Sequence, residues 1–265
     1  VTPQRASGDG TILVEACVDS VASSLAAERG GARRLELCGA LFDGGTTPSA
    51  GMIAACKTAV SIPVYVMIRP RGGGFVYSDA EREVMRRDVA IAQEVGADGV
   101  VIGGLRLDGV VDLALVRSLV EAARDLPVTF HRAFDLAPDL EPALESLITV
   151  GVKRVLSSGG AATAADGATI LAALVRRAGE RIVVIAGGGV REENVRTLVS
   201  VSGVREVHVR LTRLTGGAEP PTRRELRVRK PLPDDEAAWE ETDEQRVRDF
   251  VSRVTAISAP DRGTS

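Results

Sequence analysis

The 265-residue chain is poor in several residue types, and each shortage removes a class of function. Aromatic residues make up only 3% and the formal net charge is −3, so there is neither a basic stripe nor a set of rings for stacking bases, and nucleic acid is excluded as an expected partner. No apolar run approaches the roughly 20 residues needed to span a bilayer, because Arg, Asp or Gly interrupts each one. The opening VTPQRASGDG lacks a charged and then apolar leader pattern, so a cytoplasmic protein without membrane attachment is expected. Three cysteines, Cys17, Cys38 and Cys56, cannot all pair and show no CxxC spacing, which argues against a disulfide framework. The only lysines, Lys57, Lys153 and Lys230, avoid the ends of strand-like runs, which disfavours Schiff-base chemistry. No GxSxG, HxH or HExxH occurs, so neither a serine elbow nor a sequence-local metal site is present.

What is present is a regular alternation. Strand-like runs recur at 12–18, 34–38, 63–69, 99–103, 127–131, 153–157, 181–186 and 204–209, with amphipathic stretches between them. A spacing of roughly 28 residues is that of a βα unit, and eight units predict a single (β/α)₈ TIM barrel over 12–256. Helices are predicted over 20–29 (capped by Asp19 or Ser20), from a Ser78/Glu81 capping box to Val95, over 113–124 (capped by Asp112), and near 139–149, 164–178 and 191–200. After Val209 the rhythm breaks. Residues 212–233 hold four prolines, two glycines and the basic run RRELRVRK, predicting an irregular polar excursion before a last helix over 242–256, with a second capping box at Thr242 and Gln245. Trp239 is expected to pack near that helix, and residues 1–11 and 257–265 are expected to be flexible.

Glu15, Glu36, Arg69 and His131 each lie at or near the C-terminal end of a different strand, where a barrel gathers its site. Residues i and i+2 of a strand share a face, so Glu15 goes with Cys17 and Glu36 with Cys38. The two thiols suit Cu(I) or Zn(II), whereas the carboxylates and imidazole nearby are harder and suit Zn(II), Cu(II) or Mn(II); free cysteines equally serve as small buried apolar residues. In VTFHRAFD, His131 is a candidate base or ligand, Arg132 an anion holder and Asp135 a group orienting either one. A simpler role for His131 is to complete a buried network with Glu15 or Glu36, and for Arg69 to neutralise those acids. Glycine-rich SSGGAAT (157–163) and AGGGV (186–190) offer backbone N–H groups to an anion at Ser158, Gly159, Gly160, Gly187, Gly188 and Gly189, with Arg69 and Arg132 supplying charge. The RPRGGG loop at 69–74 is a candidate lid over the same rim.

EACVDS at 15–20, RRLELCGAL at 33–41, GGTTPS at 44–49, VMIRPRGGGFVYS at 66–78, PVTFHRAFD at 127–135, SSGGAAT and AGGGV together resemble the CutC family of copper homeostasis proteins over about 12–211. The resemblance implies a cytoplasmic TIM barrel, often a homo-oligomer (dimer or tetramer), that binds copper. It makes Cys17 and Cys38 the Cu(I) ligands, places the family's rim acids, arginine and histidine at Glu15, Glu36, Arg69, His131 and Asp135, and gives Cys56 no role. The chain departs from the family at its eighth strand, where HVRLTR (208–213) replaces HGSAR or HASAR, a change expected to fill or close the pocket's eighth wall. Two cysteines on a closed barrel are unlike a flexible copper carrier. The alternative is therefore a barrel enzyme, a lyase, isomerase or hydrolase, acting on a small anionic or phosphorylated substrate with Glu15, Glu36, Arg69, His131 and Asp135 as its catalytic set.

Overall fold

The computed structural model describes residues 11–216 and 238–257. The expected behaviour of residues 1–10 and 258–265, and the basic run at 223–230, lie outside these residues. Eight parallel strands close into a barrel in chain order: β1 (Leu13–Val18), β2 (Arg34–Leu37), β3 (Val64–Met67), β4 (Gly99–Ile102), β5 (Val128–Phe130), β6 (Arg154–Ser157), β7 (Val183–Gly187) and β8 (Glu206–Val209), with β8 pairing back onto β1. Around it run α1 (Val21–Arg29), α2 (Ala50–Ala59), α3 (Asp79–Glu94), α4 (Leu113–Ala123), α5 (Leu140–Thr149), α6 (Ala168–Ala178), α7 (Val195–Ser202) and α8 (Glu244–Thr255). No helix among the described residues is long and apolar enough to cross a membrane.

The caps explain where helices begin. Ser20 caps α1, Ser78 and Glu81 close the reciprocal box on α3, and Asp112 caps α4. Helix α6 starts only at Ala168, because Thr163 and Asp166 hydrogen-bond to each other in a turn before it. Two expectations need correction at the chain's end. The cap of α8 is Asp243, whose carboxylate accepts the N–H groups of Gln245 and Arg246, while Thr242 ends a strand. The excursion after β8 also begins and ends in an antiparallel pair, β9 (Thr212–Gly216) with β10 (Ala238–Thr242), on which Trp239 is exposed rather than packed.

Alternation along the strands separates two interiors. Val14, Ala16 and Val18 of β1, Leu35 and Leu37 of β2, and Val100 and Ile102 of β4 pack outward into the main core beneath the helices. Cys17, Cys38, Tyr65, Met67 and Val101 form a second, small apolar cluster inside the barrel. Below it the lumen is polar: buried Arg34 pairs with both Glu15 and Glu206, and Arg154 donates to the Tyr65 hydroxyl at 2.9 Å. The guanidinium groups of Arg34 and Arg154 each lie 5.2 Å from the Tyr65 ring.

Removing Arg34 would leave two carboxylates buried without their shared cation. Arg34→Met is expected to cost roughly 3–5 kcal/mol in equilibrium urea unfolding, with part of the loss recovered when Glu15→Gln and Glu206→Gln are added. A loss within about 0.5 kcal/mol, as at an ordinary surface site, would contradict this role.

Candidate metal centre and cavity

Barrel closure builds the first half of the site. Register places Cys17 beside Glu36 across β1 and β2, and Glu15 beside His208 across β1 and β8. Cys38, one residue past β2, is fixed by its N–H bond to the Val18 carbonyl at 2.9 Å. As a result Glu36 Oε2 lies 3.5 Å from Cys17 Sγ, 3.6 Å from Cys38 Sγ and 3.7 Å from His208 Nε2. The other ring nitrogen of His208 is 2.8 Å from Glu15 Oε1. Donor atoms of Cys17, Glu36 and Cys38 all fall within 4.8 Å of one another, as do those of Glu15, Glu36 and His208. Glu36 Oε1 is buried without a hydrogen-bond partner.

Electrostatics differentiate these groups. Burial pushes the Glu15 carboxyl up, but Arg34 and His208 outweigh it and hold the group at about 2. Glu36 has no such cation bonded to it, and burial raises it to about 8 despite His208 nearby. The Cys38 thiol beside Cys17, joined by His208, lowers the Cys17 thiol well below its ordinary value, while Cys38 is raised by the same contact and by burial. Burial works against a charged imidazole at His208, but Glu36, Cys17 and Glu15 together raise it well above the usual range.

The facing wall comes from β3 and β5. His131 Nδ1 accepts the N–H of Ala133 at 3.1 Å, and the ring sits 5.0 Å from Phe75. A side chain at Gly103 would bring a Cβ within 2.0 Å of His131 Cε1, so glycine is what admits the ring. The expected network between His131 and the glutamates does not form; His208 takes that place. Arg69 does not neutralise them either. Its guanidinium donates to the carbonyls of Asp43, Gly45 and Gly73, and the cation serving Glu15 is Arg34.

Asp135 does not orient His131. Its carboxylate accepts from Ser157 Oγ at 2.6 Å, from the N–H groups of Ser158 and Gly160, and from Arg132 Nε at 2.9 Å. Gly159 N–H donates to Ser157 Oγ. The loop donors at 158–160 expected to hold an anion are thus taken by the protein's own carboxylate and hydroxyl. Arg132, Gly188 and Gly189 do line a cavity of about 650 Å³, together with Cys17, Glu36, Cys38, Arg69, His131 and His208. Gly187, the last residue of β7, packs against Leu156 and His208 instead. Val209, Arg210 and Leu211 of the atypical eighth-strand segment line this cavity and leave it open. In the RPRGGG loop, Arg71 is tied to Glu81 and to the carbonyls of Gly72, Gly74 and Val76. Sequence reasoning missed Arg34, Arg154, Glu206 and the closing role of His208; strand parity was an available signal for Arg34, which goes with Glu36 on β2, and for Glu206, which goes with His208 on β8.

The depressed Glu15 carboxyl has a pH consequence. Its stabilisation is complete above the ordinary value of 4.5 and is lost as pH falls towards about 2. The stability difference between wild type and Glu15→Gln, measured by urea unfolding, is expected to shrink through that window; a difference independent of pH would contradict the Arg34 and His208 pairing.

Comparison with known proteins places the chain among relatives. The model of the CutC family matches residues 12–212. The copper homeostasis protein cutC homolog of Mus musculus is 50% identical over 208 residues, covering 78% of this chain and 76% of its own length. The Homo sapiens homolog is 50% identical over 214 residues, 80% of this chain and 78% of its own. The crystal structure of CutC from Streptococcus agalactiae, also named for copper homeostasis, superposes with a TM-score of 0.72 at 35% identity, covering 74% of this chain and 97% of that one. The chain belongs to the CutC family.

Proposed function

We propose that this protein binds copper in the service of copper homeostasis, holding Cu(I) as cargo between Cys17 and Cys38, in the cytoplasm and as a homo-oligomer. The observation that carries the reading is the convergence of two buried sulfurs on one carboxylate oxygen, 3.5 and 3.6 Å away, beside the imidazole of His208. The donor set fits the metal. Thiolates are soft ligands that favour Cu(I), and Cys17 is already poised towards the thiolate. The unpartnered Glu36 Oε1 shows that this carboxyl is not satisfied by the protein alone. The names of the mouse and human relatives, which refer to copper homeostasis, support the same assignment.

Each residue then has a separate task. Cys17 and Cys38 would be the ligands, and the proton on Cys38 must leave when the metal enters, so binding strengthens as pH rises. Glu36, 3.6 Å from the Cys38 sulfur, can accept that proton once its own carboxyl is ionised, while His208, held as a cation by Glu36, Cys17 and Glu15, steadies the thiolates. Glu15, anchored by Arg34, keeps the imidazole oriented through the 2.8 Å contact. Cys56, buried on α2 against Ser24 at 3.4 Å, is remote from these donors.

An anaerobic Cu(I) titration of the reduced protein against a competing chelator tests the assignment. Wild type is expected to bind about one copper, Cys56→Ser to match it, and Cys17→Ser/Cys38→Ser to lose stoichiometric binding. Glu36→Gln should weaken binding by roughly tenfold, the usual scale for a partner that supports the ligands. Unchanged binding in the double cysteine variant would overturn the site.

A further inference from the structure

The wall facing the cysteines holds two buried donors that make no well-formed hydrogen bond. His131 is only 4% exposed, and because its Nδ1 accepts the Ala133 N–H, the ring proton resides on Nε2, which has no partner. Burial and the charge of Arg69 hold the imidazole down at about 3, so at neutral pH it is a neutral N–H donor. Arg69 is 5% exposed; both of its terminal nitrogens bond to carbonyls, and its Nε–H makes no well-formed hydrogen bond, with the Tyr77 hydroxyl, itself unsatisfied, near the guanidinium. Among the described residues Arg69 makes no ion pair with a carboxylate, leaving a buried cation without a counter-charge. Unpaired buried donors are rare in native proteins and are expected where a ligand supplies the acceptor. Both residues line the cavity of about 650 Å³, a size suited to a small metabolite-like molecule.

A second anion position lies further out in the same cavity. Arg132 spends Nε on Asp135 at 2.9 Å and Nη2 on Ser158 at 2.8 Å, which orients the guanidinium and leaves Nη1 over Gly188. A Cβ at Gly188 would lie 2.8 Å from both Cζ and Nη1 of Arg132, so only glycine lets the backbone approach this closely. Gly188, Gly189 and Arg191 complete the lining here, after the seventh strand, where barrels commonly receive phosphate.

We infer that this wall binds a small organic acid with two anionic ends. Its carboxylate is received by His131 Nε2–H and Arg69 Nε–H, and its second oxyanion, phosphate or carboxylate, by Arg132 beside Gly188 and Gly189. The site goes beyond copper binding and does not use the cysteines. It gives Arg69, His131 and Arg132 a binding role in any chemistry carried out on such an acid.

The test uses the reduced, metal-free 265-residue chain with phosphoglycolate, malonate, inorganic phosphate and acetate as probes in calorimetry, together with ring-¹⁵N histidine spectra. Phosphoglycolate or malonate is expected to bind saturably, at least about tenfold more tightly than the one-ended phosphate or acetate, and to move the His131 Nε2–H signal. Cys17→Ser/Cys38→Ser should bind the same probe as wild type does, whether or not that variant still binds copper, which separates this inference from the copper assignment. Arg132→Gln should weaken the two-ended probe by about tenfold; if that variant does not fold, the wild-type spectra decide. No saturable binding of either two-ended probe at millimolar concentration would overturn the inference, as would binding that leaves the His131 ring nitrogens unmoved or that is lost with the cysteines.

Discussion

The guanidinium of Arg34, shared between Glu15 and Glu206 inside the barrel, is the interaction on which the rest of the lumen depends. A closed ring of eight short strands forces every second residue inward, and here several of those residues are ionisable. Isolated buried charges would be too costly, so the lumen is organised as alternating opposite charges: Arg154 near Glu206, Glu206 on Arg34, Arg34 on Glu15, Glu15 on His208. Each group is held by the next, and the Tyr65 ring between the two arginines covers their faces.

This ladder ends where the candidate site begins. With Glu15 committed to Arg34 and His208, the neighbouring Glu36 is left with sulfur atoms and an imidazole edge for company, and burial raises it to about 8. Two acids of the same type in adjacent strands thus differ because only one has an arginine bonded to it. On the proposed reading, the lower acid supports the structure and the upper one attends the metal. Across the cavity, Arg69 and His131 follow another logic, in which backbone groups fix the side chains and leave one donor on each unpaired.

Much of this was legible in the chain. The eight apolar runs and the capping residues Ser20, Ser78 and Asp112 give the barrel, and the i, i+2 rule brings Glu15, Cys17, Glu36 and Cys38 to one end. What could not be read was pairing between strands distant in sequence. His208 meets Glu15 only because β8 closes onto β1, a contact separated by 193 positions. Asp135 looked like a partner for either His131 or Arg132; it bonds to Arg132, and a turn carries it away from His131 to the Ser157–Gly160 loop, whose clustered N–H groups attract a carboxylate more strongly than a neutral imidazole does. The β9 and β10 pair escaped notice because its strands are short, polar and separated by a long intervening stretch.

If the proposed function holds, copper sits on the two sulfurs beside Glu36. X-ray absorption at the copper edge of anaerobically loaded protein addresses this most directly, because it reports the atoms bonded to the metal rather than affinity. The expected result is Cu(I) with two sulfur neighbours from Cys17 and Cys38; a first coordination sphere made only of nitrogen and oxygen would rule the two cysteines out as its ligands.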